Sequence, residues 1–293
     1  MIRLRAPAKL NLSLRVIGTR LDGFHEIETV FERIDLADEL TFEPHPDTLS
    51  LTCTDPTLSC GPDNLVLQAA TLLKQHGGVT LGARIHLDKR IPIAAGLGGG
   101  SSDAATTLLG LNALWGLGVT RPQLLELAGR LGSDVAFFLY EAAFAIGTGR
   151  GEVCQPQEVS RTLVHVVVIP DERLSTRDVY AGGRFDLTGP TPSIRMMQHA
   201  LRNGSLNELA EGLRNDLEPE AIRRCPAIAT IQSRLRASGC MGVAVSGSGP
   251  SVFGLCRDVA HAESIISPLR QVFPSSWRLE IVRTDRAPLV TSS

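Results

Sequence analysis

From Leu10 to Val16 apolar and polar residues alternate, the period-2 signature of a half-buried strand. Leu21-Asp22-Gly23 follows with turn chemistry. Shorter alternations at Leu40 to Phe42 and Leu49 to Cys53 predict further strands. The spacing becomes helical from about Asn64 to His76, and Gly77-Gly78 supplies the stop. Ile85 and Leu87 mark another strand, which runs into a glycine-rich stretch from Ile91 to Ser102. A helix is expected from about Ser102 to Trp115. The next starts at Thr120, with Pro122 early and Gln123 at the capping-box position. Leu163 to Ile169 is unbroken apolar sequence, a fully buried strand closed by Pro170.

The second half reuses these elements. A helix follows Pro226, strands fall at Val243 to Ser246 and Val252 to Cys256, and a small-residue turn joins them. A helix near Ala260 to Val272 and a strand at Trp277 to Val282 complete the pattern. Strands and helices mix without regular βαβ alternation, so the fold class is α+β in two layers. Gly147 to Gly151 and Pro156 loosen the chain near its middle, which predicts two domains, 1–155 and 156–293.

Composition narrows the function. With 43% hydrophobic and 20% charged residues, the chain buries a core and has no disordered bias. A net charge of -2 leaves no excess positive field for a nucleic-acid backbone. No apolar run reaches the roughly 18 residues needed to span a membrane. The first residues lack the apolar stretch of a signal peptide. The six cysteines show neither a C-x-x-C pair nor histidines at zinc spacing, so they predict buried thiols, no metal-ligand set and a cytoplasmic protein. Of 29 basic residues only Lys9, Lys74 and Lys89 are lysines. Arginine replaces lysine readily on a solvated surface but poorly where a compact ammonium is required, which draws attention to these three.

Four segments carry candidate chemistry. Pro92-Ile93-Ala94-Ala95-Gly96-Leu97-Gly98-Gly99-Gly100-Ser101-Ser102 lies between a strand and a helix. Three consecutive glycines permit close backbone approach and dihedrals closed to other residues. The helix opening behind them offers free N–H groups and a positive dipole end to an anion. Alone, the stretch is equally a flexible turn before an N-cap serine. It is neither a Walker A loop nor a dinucleotide fingerprint. The second segment is Pro7 to Asn11, where Lys9 and Asn11 project from one strand face. In the third, Gly132-Ser133-Asp134 enters a strongly apolar stretch, so Asp134 needs a partner and Lys9 is a plausible one. The fourth, Ser246 to Ser251, reads alone as a tight hairpin.

The types and order of these segments resemble the GHMP kinases, nearly end to end from Pro7 to Phe253. Gly23-Phe24-His25 resembles one branch of that family. The resemblance implies a ribosomal-protein-like N-terminal domain and a ferredoxin-like C-terminal domain with substrates in the cleft between them. It implies ATP as co-substrate with Mg2+, and a small-molecule acceptor, a cytidine-diphosphate-linked methylerythritol. Carried over position by position, Lys9 and Asp134 match the catalytic pair, and Pro92 to Ser102 the ATP phosphate loop. Asn64 matches a residue near the adenosine, Asn11 a substrate-side polar residue, and Phe24, His25 and Tyr180 the cytidine site. Many relatives carry tyrosine where this chain has Phe24; stacking survives that change, a hydroxyl contact does not.

Overall fold

The computed structural model describes residues 1–185 and 194–289. β1 (Ile2–Thr19) and β2 (His25–His45) form one long antiparallel hairpin, turned at Leu21–Gly23 with Gly23 at φ +82°. β3 (Leu49–Cys53), α1 (Leu65–Gly77) and β4 (Gly82–Asp88) extend it on one side. α2 (Gly99–Leu114) and α3 (Arg121–Leu131) pack with α1 over the sheet, around Phe42, Leu73, Leu108 and Phe137. Asn64 and αL Gly78 cap α1, and Thr120 with Gln123 closes the expected capping box on α3. β5 (Phe144–Thr148) pairs with β2 and then with β6 (Val153–Gln157), a strand that crosses the expected domain boundary at 155.

The second sheet begins with β7 (Val164–Ile169), buried along its whole length as its apolar run requires. After it come α4 (Thr176–Gly182), α5 (Ile194–Asn203), α6 (Leu206–Gly212), β8 (Arg214–Asn215) and α7 (Glu218–Arg224). α8 (Ala227–Ala237), β9 (Gly242–Val245), β10 (Val252–Cys256), α9 (Val259–Val272) and β11 (Arg278–Arg283) complete the described chain. The sheet order is β11-β7-β10-β9, all antiparallel, with α8 and α9 in the two crossovers. That is the βαββαβ arrangement of a ferredoxin-like unit. β8 leaves this half to pair with β1, giving the first sheet the order β3-β4-β2-β1-β8.

Three expectations need correcting. β1 is not half-buried, since every residue from Ala6 to Leu14 is buried. Its polar face, Lys9, Asn11 and Ser13, is buried, with the glycine-rich loop and the 246–251 turn covering Lys9 and Asn11. α2 starts at Gly99, three residues before the expected Ser102, so the glycine loop runs into the helix itself. The cysteines are all free thiols, but only Cys225 and Cys256 are buried, and Cys60 is exposed.

Candidate active site

The glycine-rich loop is held from two sides. Lys9 N–H donates to Leu97 O at 2.9 Å, tying the loop to β1. Ser246 Oγ donates to Gly96 O at 2.9 Å, and Ser251 N–H to Ala95 O at 3.3 Å. A side chain on Gly96 would lie 2.1 Å from Ser246 O, so the two small-residue segments pack backbone to backbone. Gly96 (φ +77°) and Gly98 (φ +71°) occupy the left-handed region, and so does Ala94 (φ +54°), a strained conformation for alanine. Gly98 is the N-cap of α2 and no side chain caps the helix, leaving first-turn N–H groups directed at the cavity.

That cavity, about 820 Å³, lies between the two halves of the fold. It is lined by every loop residue from Pro92 to Ser101, and by Lys9, Asn11, Asn64, Asp134, Phe24, His25 and Tyr180. Of the residues expected at the site, Ser102 alone does not line it; it is fully buried in the first turn of α2. A space this large accommodates a nucleotide and a second small molecule together.

Lys9 is 3% exposed and its Nζ stands 3.4 Å from Asp134 Oδ2, whose side chain is 29% exposed. The ammonium also donates to Asn11 Oδ1, and Asn11 Nδ2 donates to Thr29 Oγ1 at 2.8 Å. Both polar ends of the Asn11 side chain are thereby engaged in orienting Lys9. Asn64 is similarly occupied: Oδ1 accepts from Val66 N–H at 2.9 Å and Nδ2 donates to Ser59 O at 2.6 Å. Cys154 sits near Asp134, but burial first and the Asp134 charge second push its thiol up to about 12, so it stays protonated and is no nucleophile.

The loop rests on a buried charge cluster that spacing alone did not reveal. Lys89 donates to Asp38 Oδ2 and, at 2.9 Å, to Asp103 Oδ2 in α2. The other Asp38 oxygen accepts the Ile91 N–H at 2.7 Å. Burial pulls the Lys89 pKa down, but the charges of Asp103 and Asp38 outweigh it and the net shift is upward. For Asp103, burial dominates and pushes the carboxyl up to about 8, with Asp38 adding to it and Lys89 opposing. Two carboxyls sharing one ammonium hold one proton and leave the cluster neutral. The scarcity of lysine was the only sequence signal for Lys89.

At the far end of the cavity the aromatic residues gather. The His25 and Tyr180 rings lie 5.2 Å apart at 31°, and Phe185, unforeseen in the sequence, meets His25 edge-on at 5.2 Å. Phe24 is 51% exposed, with the Arg150 guanidinium 4.8 Å from its ring centroid. Thr176, at the start of the helix bearing Tyr180, hydrogen-bonds Ser248 at 2.9 Å.

The family model of the GHMP kinases N terminal domain matches residues 64–142, and that of the GHMP kinases C terminal matches residues 197–275. The 4-diphosphocytidyl-2-C-methyl-D-erythritol kinase of Pelotomaculum thermopropionicum is 40% identical over 98% of this chain and 96% of its own length. A crystal structure of 4-(cytidine 5'-diphospho)-2C-methyl-D-erythritol kinase is 38% identical and superposes with a TM-score of 0.80, covering 96% of this chain and 99% of that one. Homoserine kinase from Cytophaga hutchinsonii, 19% identical, shares the fold with a TM-score of 0.77 over 97% of this chain and 94% of its own.

Proposed function

The chain belongs to the GHMP kinases, and from that premise we propose how it acts as a 4-diphosphocytidyl-2-C-methyl-D-erythritol kinase. It transfers the γ-phosphoryl group of ATP to the 2-hydroxyl of the cytidine-linked polyol, a step of the non-mevalonate isoprenoid pathway. The division into two domains is the reading we adopt, with the boundary expected at 155 moved past the end of β6 at Gln157, and the free thiols suit a cytoplasmic setting.

Phosphoryl transfer demands alignment and charge neutralisation more than covalent chemistry. Residues 92–101 and the open N-terminus of α2 hold the ATP phosphates, with the buried Ser102 left out of contact and Asn64 shaping the adenosine end. Asp134 faces the cavity and accepts the hydroxyl proton as the new bond forms. Lys9, fixed by Asn11, pairs with Asp134 and stabilises charge at the reacting oxygen. Asn11 lies on the acceptor's side of the cavity. Phe24 and Tyr180 stack on the cytosine while His25 meets its edge.

Mg2+ fits this donor set. Ser101 and the half-buried Asp134 offer oxygens along the cavity. Such a cation needs few protein ligands because phosphates and water complete its shell. It would neutralise phosphate charge when bound.

The observation that carries this reading is the Lys9–Asp134 pair beside the phosphate loop in one cavity that an aromatic cluster also lines. The test is ATP turnover across cytidine- and uridine-diphosphate-linked methylerythritol, homoserine and mevalonate. Strong preference for the cytidine compound is expected; equal use of the uridine analogue, or preference for homoserine or mevalonate, would refute the substrate assignment.

A further inference from the structure

Phe24 is the most exposed ring of the base site, and it sits on a turn whose backbone is firmly set. Arg20 N–H donates to Phe24 O at 2.8 Å, Gly23 N–H to Arg20 O at 3.1 Å, and Phe24 N–H to Asp22 Oδ1 at 3.1 Å. Arg20 further bonds Glu26 at 2.6 Å. The ring itself has no aromatic neighbour among the described residues, unlike His25, which meets both Tyr180 and Phe185. What it has is one cation: the Arg150 guanidinium, 4.8 Å from the centroid.

Arg150 comes from the tip of the β5–β6 hairpin, between Gly149 (φ +72°) and Gly151 (φ +111°). Glu152 fixes it from behind, accepting the Arg150 N–H at 2.5 Å and lying 3.7 Å from Nε. The tip is docked on β2 by Ile27 N–H to Gly149 O at 2.7 Å. Two independently anchored turns therefore place a guanidinium against an otherwise free phenyl ring. A cation over a ring face favours that orientation, and a ring held in one rotamer loses less freedom when a base stacks on it.

We propose that Arg150 is a positioning residue for the cytidine half of the acceptor, acting through Phe24 by holding its ring in the stacking orientation. In the complex the order is guanidinium, phenyl ring, cytosine. The proposal rests on the acceptor assigned above and adds a specificity-determining residue to it. The competing role for Arg150 is direct contact with the acceptor's diphosphate, since it too lines the cavity.

A double-mutant cycle separates the two. Steady-state kinetics with cytidine-diphosphate-linked methylerythritol are measured for wild type, Arg150→Met, Phe24→Ala and the double variant, with thermal midpoints alongside. Methionine keeps an apolar stem and removes the cation. Arg150→Met should raise KM for the acceptor about three- to tenfold, the range of a partly exposed cation–ring contact, while kcat and KM for ATP hold within about twofold. In the Phe24→Ala background the same substitution should add nothing. Arg150→Lys should recover part of the loss in wild type and none in Phe24→Ala. An equal KM rise in both backgrounds would overturn the proposal in favour of direct diphosphate contact. No KM change in either background would overturn it outright. Should Arg150→Met lower the thermal midpoint markedly, Glu152→Gln, which loosens the hold on Arg150, must reproduce the Phe24-dependent KM rise or the proposal fails. Wild-type turnover of the cytidine compound is the internal control: its absence removes the acceptor assignment, whereas its presence with an unchanged Arg150 variant removes this inference alone.

Discussion

Gly99 and Gly100 are neighbours of one residue type, yet they meet different surroundings. A side chain at Gly99 would lie 2.9 Å from Lys89 Nζ and 3.0 Å from Ile91 Cγ2, so valine there would damage the fold along with the site. Its backbone is helical rather than left-handed; of the three consecutive glycines only Gly98 uses the dihedrals closed to other residues. Gly100 is exposed to the cavity, and the nearest atom to an added Cβ is Leu65 Cδ1 at an ordinary 3.5 Å. Gly100→Ala should therefore leave stability unchanged or raise it by up to about 1 kcal/mol, the helix-propensity difference, while weakening ATP binding. Thermal midpoint and ATP affinity measured together check this; unimpaired ATP binding would mean the phosphates do not approach this backbone. For the reacting pair, Asp134→Asn should reduce kcat about 10²-fold or more, and Lys9→Met comparably. The two act as a unit, so the double variant should be far less than multiplicatively worse. Retention of most turnover by Asp134→Asn would contradict the role assigned to it. Lys9 and Asp134 were legible because their neighbours form recognisable blocks. Arg150 and Phe185 were not, since an arginine in a glycine turn and a single phenylalanine near the middle of the chain carry no spacing signal.

At the scale of elements, the strands and helices with strong periodicity were legible to within a few residues, including β3, β10 and the capped α1 and α3. The helices α4, α5, α6 and α7 were not read: three are seven residues long, too short to show a period, and depend on tertiary packing. β1 misled for another reason. Alternation reports which face is polar, not whether that face meets water, and here a loop and a turn cover it. The Lys89–Asp38–Asp103 cluster links β2, β4's end and α2 beneath the phosphate loop, and it makes stability depend on pH. Asp103, pushed up to about 8, keeps a proton in the folded state that the unfolded chain releases near pH 4. The folded state binds more protons across that window, so this group's contribution to stability is present below about pH 4 and is lost as pH rises towards 8. Asp103→Asn removes the linkage. The stability of wild type relative to Asp103→Asn should thus fall between pH 4.5 and 8 in urea titrations; parallel curves would refute the shift.

Across the whole molecule, buried polar contacts fasten the two sheets to each other. Glu32 of β2, fully buried, stands 2.7 Å from His165 Nε2 of β7 and accepts from Thr284 Oγ1 at 2.6 Å. Arg33, 1% exposed, donates to Asp285 O at 3.1 Å and to Ala287 O at 2.8 Å. Removing one member of such a buried set leaves the others unpaired, so Glu32→Ala should cost about 3 kcal/mol or more in denaturant titration. A change under about 1 kcal/mol would mean these contacts do not secure the sheets. None of this was legible in advance, because residues 32, 165 and 284 meet only through the tertiary fold. The α+β class was legible, since irregular mixing of strands and helices already excludes a doubly wound sheet. The central claim is transfer of a phosphoryl group to the 2-hydroxyl of the cytidine-linked polyol, and that carbon, bearing a methyl group, carries no hydrogen. Proton-coupled 31P spectroscopy of the reaction with ATP therefore tests the claim directly. The account predicts one new phosphomonoester resonance without proton splitting, growing in step with ADP and about 10²-fold or more slower with Asp134→Asn. A resonance split by an ester CH or CH2, or ADP formed without any new ester, would contradict it.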